Sequence, residues 1–322
     1  MSKQIKVSIV VPVYNAEDTL EKCVDSLLSQ TLEEIEIVLI NDGSTDNSQK
    51  IIDKYSLNFP DKVRVIIQDN GGQGKARNEG LKICQGMYIG FLDSDDYVDP
   101  AMYQIMYETA IREDADMVMC DYFDVHDGVT KVIRVKDVEK TKQLLIDPKA
   151  APWNKLYLSA RIKESGVTFR EGLIYEDTAF YANMVPYIRK CINVHEPFVY
   201  HINWSGSTTG QADVGRYIQM FDILDGILEF YQQNSLWDEY YEELEYFYSK
   251  ILLGSSFLRF ASLRNSKERK QYLRESLKKV KMAFPNFRSN IYYKGSKMQF
   301  YIRMMNEKSV ILIGKLMNIV NK

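Results

Sequence analysis

Three carboxylates crowd into four positions at Asp93, Asp95 and Asp96, within the stretch FLDSDD. Like charges this close repel, so the cluster needs a compensating cation. A hard divalent ion with oxygen ligands, Mn²⁺ or Mg²⁺, answers that need, and such ions commonly bridge protein carboxylates to substrate phosphates. A solvated acidic turn has the same composition, so the cluster alone leaves both readings open. A calcium loop is excluded. With Asp93, Asp95 and Asp99 in its first, third and seventh places, the sixth holds Val98 instead of glycine and the twelfth holds Gln104 instead of glutamate.

Three further stretches carry residues of use to a nucleotide. Pro12, Val13, Tyr14 and Asn15 close a first apolar run; proline removes an amide donor at a strand end, and Tyr14 offers a flat face to a base. A core tyrosine after a strand-ending proline would read the same way. Asn41-Asp42-Gly43-Ser44-Thr45-Asp46 closes a second run, where Asp42 can accept a hydrogen bond from a base N–H. A simple capping turn accounts for Gly43 and Ser44 but leaves Asp42 unexplained. A third run leads into NGGQGKARNEG. A dinucleotide fingerprint needs glycine where Arg77 stands, and a P-loop needs Ser or Thr where Ala76 stands, so both are excluded. What is left is a glycine-rich approach to a helix, through Gly72, with Arg77 on its first turns able to pair with phosphate.

The elements that must position these residues alternate in type. Ile5–Val13 is a nearly continuous apolar strand, and Leu20, Cys23, Val24, Leu27 and Leu28 follow at helical spacing. Strands over 35–40, 63–67 and 87–92 alternate with helices over 48–55 and 74–84, then a helix over 102–110 and a strand over 116–123. This spacing predicts a largely parallel sheet with helices on both faces, buried like the sheets of α/β proteins. Beyond it come a hairpin around 126–128, a short helix near 138–146, a helix near 177–187 and a strand over 197–202. After Asp213 the pattern is helical.

The four loops after strands one to four fall on one edge of such a sheet. In the order PVYN, NDGSTD, GQGKARNEG, FLDSDD, they resemble the inverting nucleotide-sugar glycosyltransferases of family 2, which have the GT-A fold, over roughly residues 5–207. The resemblance implies that Pro12, Val13, Tyr14, Asn15 and Asp42 hold the nucleoside, and that Gly72 and Arg77 lie near the base and diphosphate. Asp93, Ser94 and Asp95 match the DxD motif, with Asp95 the direct metal ligand and Asp93 its companion; Asp96 stands behind the metal or touches the sugar. Glu176-Asp177 in LIYEDTAF matches the acidic pair that supplies the catalytic base, Asp177 as base and Glu176 orienting the acceptor. Trp153-Asn154-Lys155 resembles a W-x-K element that puts Lys155 toward sugar or acceptor. His201, with Ser205, Ser207 and Thr208, resembles a segment that closes over the diphosphate, although arginine often stands in the place of His201, and a strand histidine without catalytic duty fits equally.

On this resemblance the expected reaction moves a sugar, with inversion, from a UDP-sugar (or a dTDP-sugar, whose base keeps the same N3–H) to a hydroxyl of a glycan or lipid-linked saccharide acceptor in surface-polysaccharide synthesis. A nucleotidyltransferase would use similar acids and metal but needs a glycine-rich arm near Pro12 that is absent. A catalytically silent nucleotide-sugar-binding protein would not need Asp93, Asp95 and Asp177 together.

The 322 residues, 45% hydrophobic and 26% charged, read as an ordinary soluble protein with one large domain and an appendage. No signal-peptide pattern and no run of about 18 apolar residues is present, and four scattered cysteines read as reduced thiols, which together suggest a cytoplasmic protein. The expected organisation is a catalytic domain over 1–210, with a nucleotide-sugar half to about 100 and an acceptor half beyond, a helical extension over 211–263, and a basic amphipathic module over 264–322. The net charge of −3 divides unevenly. Fifteen Lys or Arg face three acidic residues from Arg264 onward, a balance of +12 against −15 for the rest. Such a module suits an anionic membrane surface at the inner face of the cell membrane; packing on the catalytic domain or in a homo-oligomer is the plainer alternative. No nucleic-acid partner is expected.

Overall fold

The computed structural model describes residues 4–203 and 214–320, the last four by backbone alone. The chain divides into two compact units, Met1–Thr141 with Lys149–Ser207, and Lys142–Pro148 with Thr208–Lys322.

The first unit runs β1 (Val7–Val13), α1 (Leu20–Leu28), β2 (Ile35–Asp42), α2 (Ser48–Asn58), β3 (Val63–Gln68), α3 (Gly72–Ile83), β4 (Tyr88–Phe91), β5 (Tyr97–Val98), α4 (Met102–Glu113), β6 (Met117–His126), β7 (Val129–Ile133), β8 (Lys155–Leu158), α5 (Ser159–Ser165), α6 (Glu176–Met184) and β9 (Cys191–Asn203). Among the described residues the strands form one sheet in the order β3-β2-β1-β4-β8-β6-β9-β5, with β7 hydrogen-bonded to β6 as a hairpin. β3, β2, β1 and β4 are mutually parallel; β8 is antiparallel to both neighbours, and β9 is again parallel to β6.

Every side chain of β1 and β2 is buried, as expected where helices cover both faces of a parallel sheet. The inner stripe of α1, Leu20, Cys23, Val24 and Leu27, is fully buried against it. Burying each such aliphatic side chain contributes about 1.5–3 kcal/mol relative to exposure. Pro12 pairs with Ile40 on β2, but the β4 ladder on the other side spans only Val7–Val10, so its missing N–H breaks no bond there. Because β1 to β4 point the same way, their following loops emerge together at the carboxyl edge, where open α/β sheets bind ligands.

The GT-A arrangement therefore holds, with local differences. Helix α3 begins at Gly72, two residues earlier than the spacing predicts, because Gly72 adopts φ +84° and turns the chain into the helix. The helix expected near 138–146 is a 3₁₀ turn over Thr141–Leu145. β9 is longer than its apolar part and follows β6 through register shifts near Asp121.

The second unit contains α7 (Val214–Gln233), α8 (Trp237–Lys250), a π-turn over Ile251–Ser255, α9 (Ser256–Ala261), α10 (Ser266–Ala283), α11 (Lys297–Met304) and α12 (Ser309–Val320). Phe260 of α9 stacks on Phe221 of α7 and on Tyr272 of α10, with ring centroids 5.4 and 5.3 Å apart. Asp225 of α7 accepts from the Tyr248 hydroxyl at 2.8 Å and pairs with Lys279 of α10. A Cβ at Gly314 would stand 2.4 Å from Leu273 Cδ1, so α12 lies close on α10 at the one place without a side chain. No helix among the described residues is long and apolar enough to cross a membrane.

Candidate active site

The loops after β1 and β2 are laced together before any ligand arrives. Asn15 takes φ +48° and its side chain accepts from Thr45 N at 2.8 Å, while Ser44 Oγ accepts from Asn15 N at 3.1 Å. Ala16 N donates to Ser48 Oγ and Glu17 N to Asp46 Oδ2, both at 2.9 Å. This lacing leaves Tyr14 half exposed. Asp42, buried at the end of β2, accepts from Gln68 Nε2 (2.6 Å) and Gly71 N (2.8 Å) on Oδ1, and from Gly72 N (2.8 Å) on Oδ2. It thus shapes the glycine-rich turn and leaves Oδ2 with capacity for one further donor. Gln68 was not singled out from the sequence; its position at the last residue of β3, opposite Asp42 in the register, is visible only in the sheet.

Arg77 is the hub. It is 1% exposed, and its guanidinium donates to Asp93 Oδ1 at 2.7 Å and to Glu176 Oε1. The sequence expectation placed it beside the base and diphosphate; the structure turns it inward, joining the acidic loop after β4 to the acidic pair at the start of α6. Burial works against its charge, but Asp93 and Glu176 more than offset that and hold it further into the charged form. Its Nε has no hydrogen-bond partner.

The rest of α3 presents its inner face to the segment that carries the base. Asn78 and Phe169 exchange two hydrogen bonds through the Asn78 amide, both 2.9 Å, and Asn78 Nδ2 reaches Glu171 at 3.0 Å. A Cβ at Gly74 would stand 2.4 Å from Arg170 O. Phe169 stacks on Phe180 at 4.0 Å and meets Phe91 edge-on at 5.2 Å, tying α6 to the strand that leads into Asp93. The glycines and Asn78 of the motif therefore pack one acidic segment against another. The signal for this in the sequence was a helix whose small and polar residues recur at the spacing where apolar ones normally stand.

Glu176 and Asp177 open α6 after Tyr175, a non-glycine residue at φ +68°. Backbone strain of this kind persists where surrounding structure fixes it. Burial raises the carboxyls of both Glu176 and Asp177, while the Arg77 charge works in the opposite direction on each. Asp177 Oδ1 accepts from Thr178 N at 2.6 Å.

Asp93 and Asp95 are half-buried, with Ser94 between them. Burial raises the thiol of Cys23, and the negative charges of Asp96, Asp95 and Asp93 raise it further, so the loop is a site of concentrated negative potential. Among the described residues no cluster of three His, Cys, Asp or Glu is arranged to hold a metal. Two hard oxygen donors nevertheless fit Mn²⁺ or Mg²⁺, which is commonly held by one or two carboxylates and completes its shell with substrate oxygens and water.

Asp96 is buried and turned away from its neighbours. Oδ1 accepts from Ile202 N at 2.8 Å, and Oδ2 lies 3.2 Å from His201 Nδ1. Burial pushes Asp96 up to about 7. Burial alone would lower His201, but the Asp96 contact more than offsets it and raises that imidazole. His201 also stacks on Trp153, with centroids 4.8 Å apart, so the W-x-K element reaches this edge through its tryptophan. Lys155, expected toward sugar or acceptor, is fully buried, and its ammonium donates to the carbonyls of Lys149 and Ala151 and to Asn154 Oδ1. Three acceptors take its three protons, although burial pulls its pKa down to about 7. Ser207, with Ser205 and Thr208, lies outside the described residues.

Comparison with known proteins agrees with this geometry. The family model described as glycosyl transferase family 2 matches residues 8–170. The uncharacterized glycosyltransferase EpsJ of Bacillus subtilis (strain 168) is 50% identical over 117 residues, 36% of this chain and 34% of EpsJ. Poly(ribitol-phosphate) beta-glucosyltransferase of Bacillus spizizenii is 33% identical over 242 residues, 69% of this chain and 37% of that protein. The chain thus spans only about a third of the length of either relative. Among solved structures, S. aureus TarS 1–349 in complex with UDP-GlcNAc superposes with a TM-score of 0.75 at 21% identity, covering 97% of this chain and 90% of TarS 1–349.

Proposed function

The chain belongs to glycosyl transferase family 2, and from that premise we propose that it moves a sugar from a UDP-sugar to a hydroxyl of a glycan or lipid-linked saccharide in surface-polymer synthesis, inverting the anomeric centre. The observation that carries this reading is the Arg77 clasp, which ties the acidic loop at the end of β4 to the acidic pair at the start of α6, on the edge where Asp42 and Tyr14 also emerge. The solved TarS complex with UDP-GlcNAc supports a UDP-sugar donor, and the poly(ribitol-phosphate) beta-glucosyltransferase supports transfer to a polymer hydroxyl.

In this reading Asp42 Oδ2 accepts from the base N3–H, and exposed Tyr14 covers the base. Asp177 takes the proton of the acceptor hydroxyl as that oxygen forms its bond to the anomeric carbon, opposite the breaking bond to the diphosphate. Its raised carboxyl makes it a better base than an ordinary surface aspartate, and Glu176 is held off this task by Arg77. Asp95, with Asp93, would hold Mn²⁺ or Mg²⁺, which supplies positive charge against the departing nucleoside diphosphate when bound. His201 contributes through Asp96 and Trp153.

The test is nucleotide release from a panel of UDP-, dTDP- and GDP-sugars with Mn²⁺, Mg²⁺ or excess chelator. UDP release that needs a divalent ion and is lost in Asp95→Ala is expected. Undiminished release in chelator would remove the metal, and release from none of the donors would remove the donor reading.

A further inference from the structure

The second unit carries an exposed face that includes none of the proposed site residues. α11 buries Ile302, with Met305 buried just beyond it, and α12 buries Val310 and seats Gly314 against Leu273. Away from those anchors, Lys297, Phe300, Arg303 and Met304 are exposed along α11, and Lys308, Leu312, Lys315 and Leu316 along α12 and the residue before it. Spacings of three and four residues keep each set on one side of its helix. Phe300 is 72% exposed, Leu312 59% and Leu316 54%, so large apolar side chains face water on successive turns of both helices. Lys281 pairs with Glu307 at 3.1 Å, and Arg288 donates to the carbonyl of Met305, so the end of α10 meets the connection between α11 and α12. That contact adds Met282, 72% exposed, to the same region. Glu307 is the only acidic residue between 276 and 322, and Lys281 already neutralises it.

We propose that α11 and α12 lie in the plane of an anionic lipid surface, with Phe300, Met304, Leu312 and Leu316 entering the acyl boundary and Lys297, Arg303, Lys308 and Lys315 meeting the headgroup phosphates. Interleaved large apolar and basic side chains are the mark of a helix lying in an interface. At twelve residues α12 is about 18 Å long, well short of the roughly 30 Å hydrocarbon core, so it lies on the surface rather than spanning it. A soluble polyanion would use the lysines but leave Phe300 and Leu316 in water. A second copy packed through this face would set like charges against like.

The proposal does not rest on the sugar-transfer reading, because binding is measured with no donor present. Full-length protein is sedimented with vesicles of phosphatidylcholine alone or mixed with phosphatidylglycerol. Two variants are compared, Lys308→Gln with Lys315→Gln, and Phe300→Ser with Leu316→Ser; all four positions are exposed, and circular dichroism checks the fold. Pelleting is expected only with the anionic vesicles. Each lost lysine should lower the partition coefficient about five-fold, and the apolar pair should lower it about ten-fold or more. No pelleting at low salt, or equal pelleting of both variants and wild type, overturns the proposal. A loss confined to the lysine variant assigns the face to a polyanion. Concentration-dependent dimers abolished by the apolar variant assign it to a second copy. Either result also overturns the lipid assignment.

Discussion

Replacing Arg77 with methionine tests whether the clasp is the feature that organises the site. Methionine keeps the unbranched apolar stem but is shorter, so it removes the charge, its two hydrogen bonds and the guanidinium that faces the Phe169 ring at 5.3 Å. Asp93 and Glu176 would then be left without their buried cation, and Glu176 is only 8% exposed at its side chain. Stranding a buried charge in this way costs about 3–5 kcal/mol; because the Asp93 side chain is 19% exposed and can hydrate, the lower part of that range is expected. Glu176→Gln leaves an acceptor for the guanidinium and should cost less, about 1–2 kcal/mol. In the double variant the loss of Arg77 no longer strands a charged glutamate, so the combined loss should fall short of the sum by about 1 kcal/mol or more. Urea denaturation of the four proteins, with the slope checked for constancy, measures each term. Losses that add within about 0.5 kcal/mol, or an Arg77→Met variant that keeps wild-type stability, would refute the argument that this pair is coupled. Added Mn²⁺ should stabilise Arg77→Met more than wild type, since it can neutralise the abandoned Asp93.

Asp177→Asn should lower turnover by about 10²–10⁴-fold with donor affinity little changed, and because burial raises the wild-type carboxyl, the acid limb of its kcat/KM profile should lie above the ordinary carboxylate range; a limb near pH 4 or wild-type turnover would show that Asp177 is not the base. Gly74→Ala places a Cβ against the Arg170 carbonyl and should cost about 1–3 kcal/mol, while turnover falls more than donor binding; unchanged melting and turnover would show that the 169–176 segment is not docked as described. Asp116 is buried, and although burial alone would raise its carboxyl, hydrogen bonds from Arg189 and Arg161 hold it down to about 2. A depressed carboxyl contributes stability above its unfolded value near 3.8 and loses it as pH falls toward 2. Allowing for the exposure of Arg189, Asp116→Asn should flatten acid denaturation between those values by about 1–2 kcal/mol, and identical acid curves would contradict this.

The sequence by itself determined the alternation of β1 to β4 with their helices, because a buried parallel strand and an amphipathic helix each have a period that local residues reveal. It also located the four loops, since glycine, aspartate and asparagine after an apolar run mark the turn that ends a strand. Only the tertiary structure decided what those residues touch. Nothing near Arg77 in the chain indicates that its partners are Asp93, sixteen positions on, and Glu176, ninety-nine positions on. Lys155 looked available to a sugar until the fold wrapped the carbonyls of Lys149 and Ala151 around it. His201 gained its partners only when β9 came to lie beside β6 and brought it to Asp96 and Trp153. Local pattern reports burial and chain direction, because these depend on neighbours along the chain. The partner of a charged side chain depends on which distant segment the sheet order brings against it, and that order is a property of the whole fold.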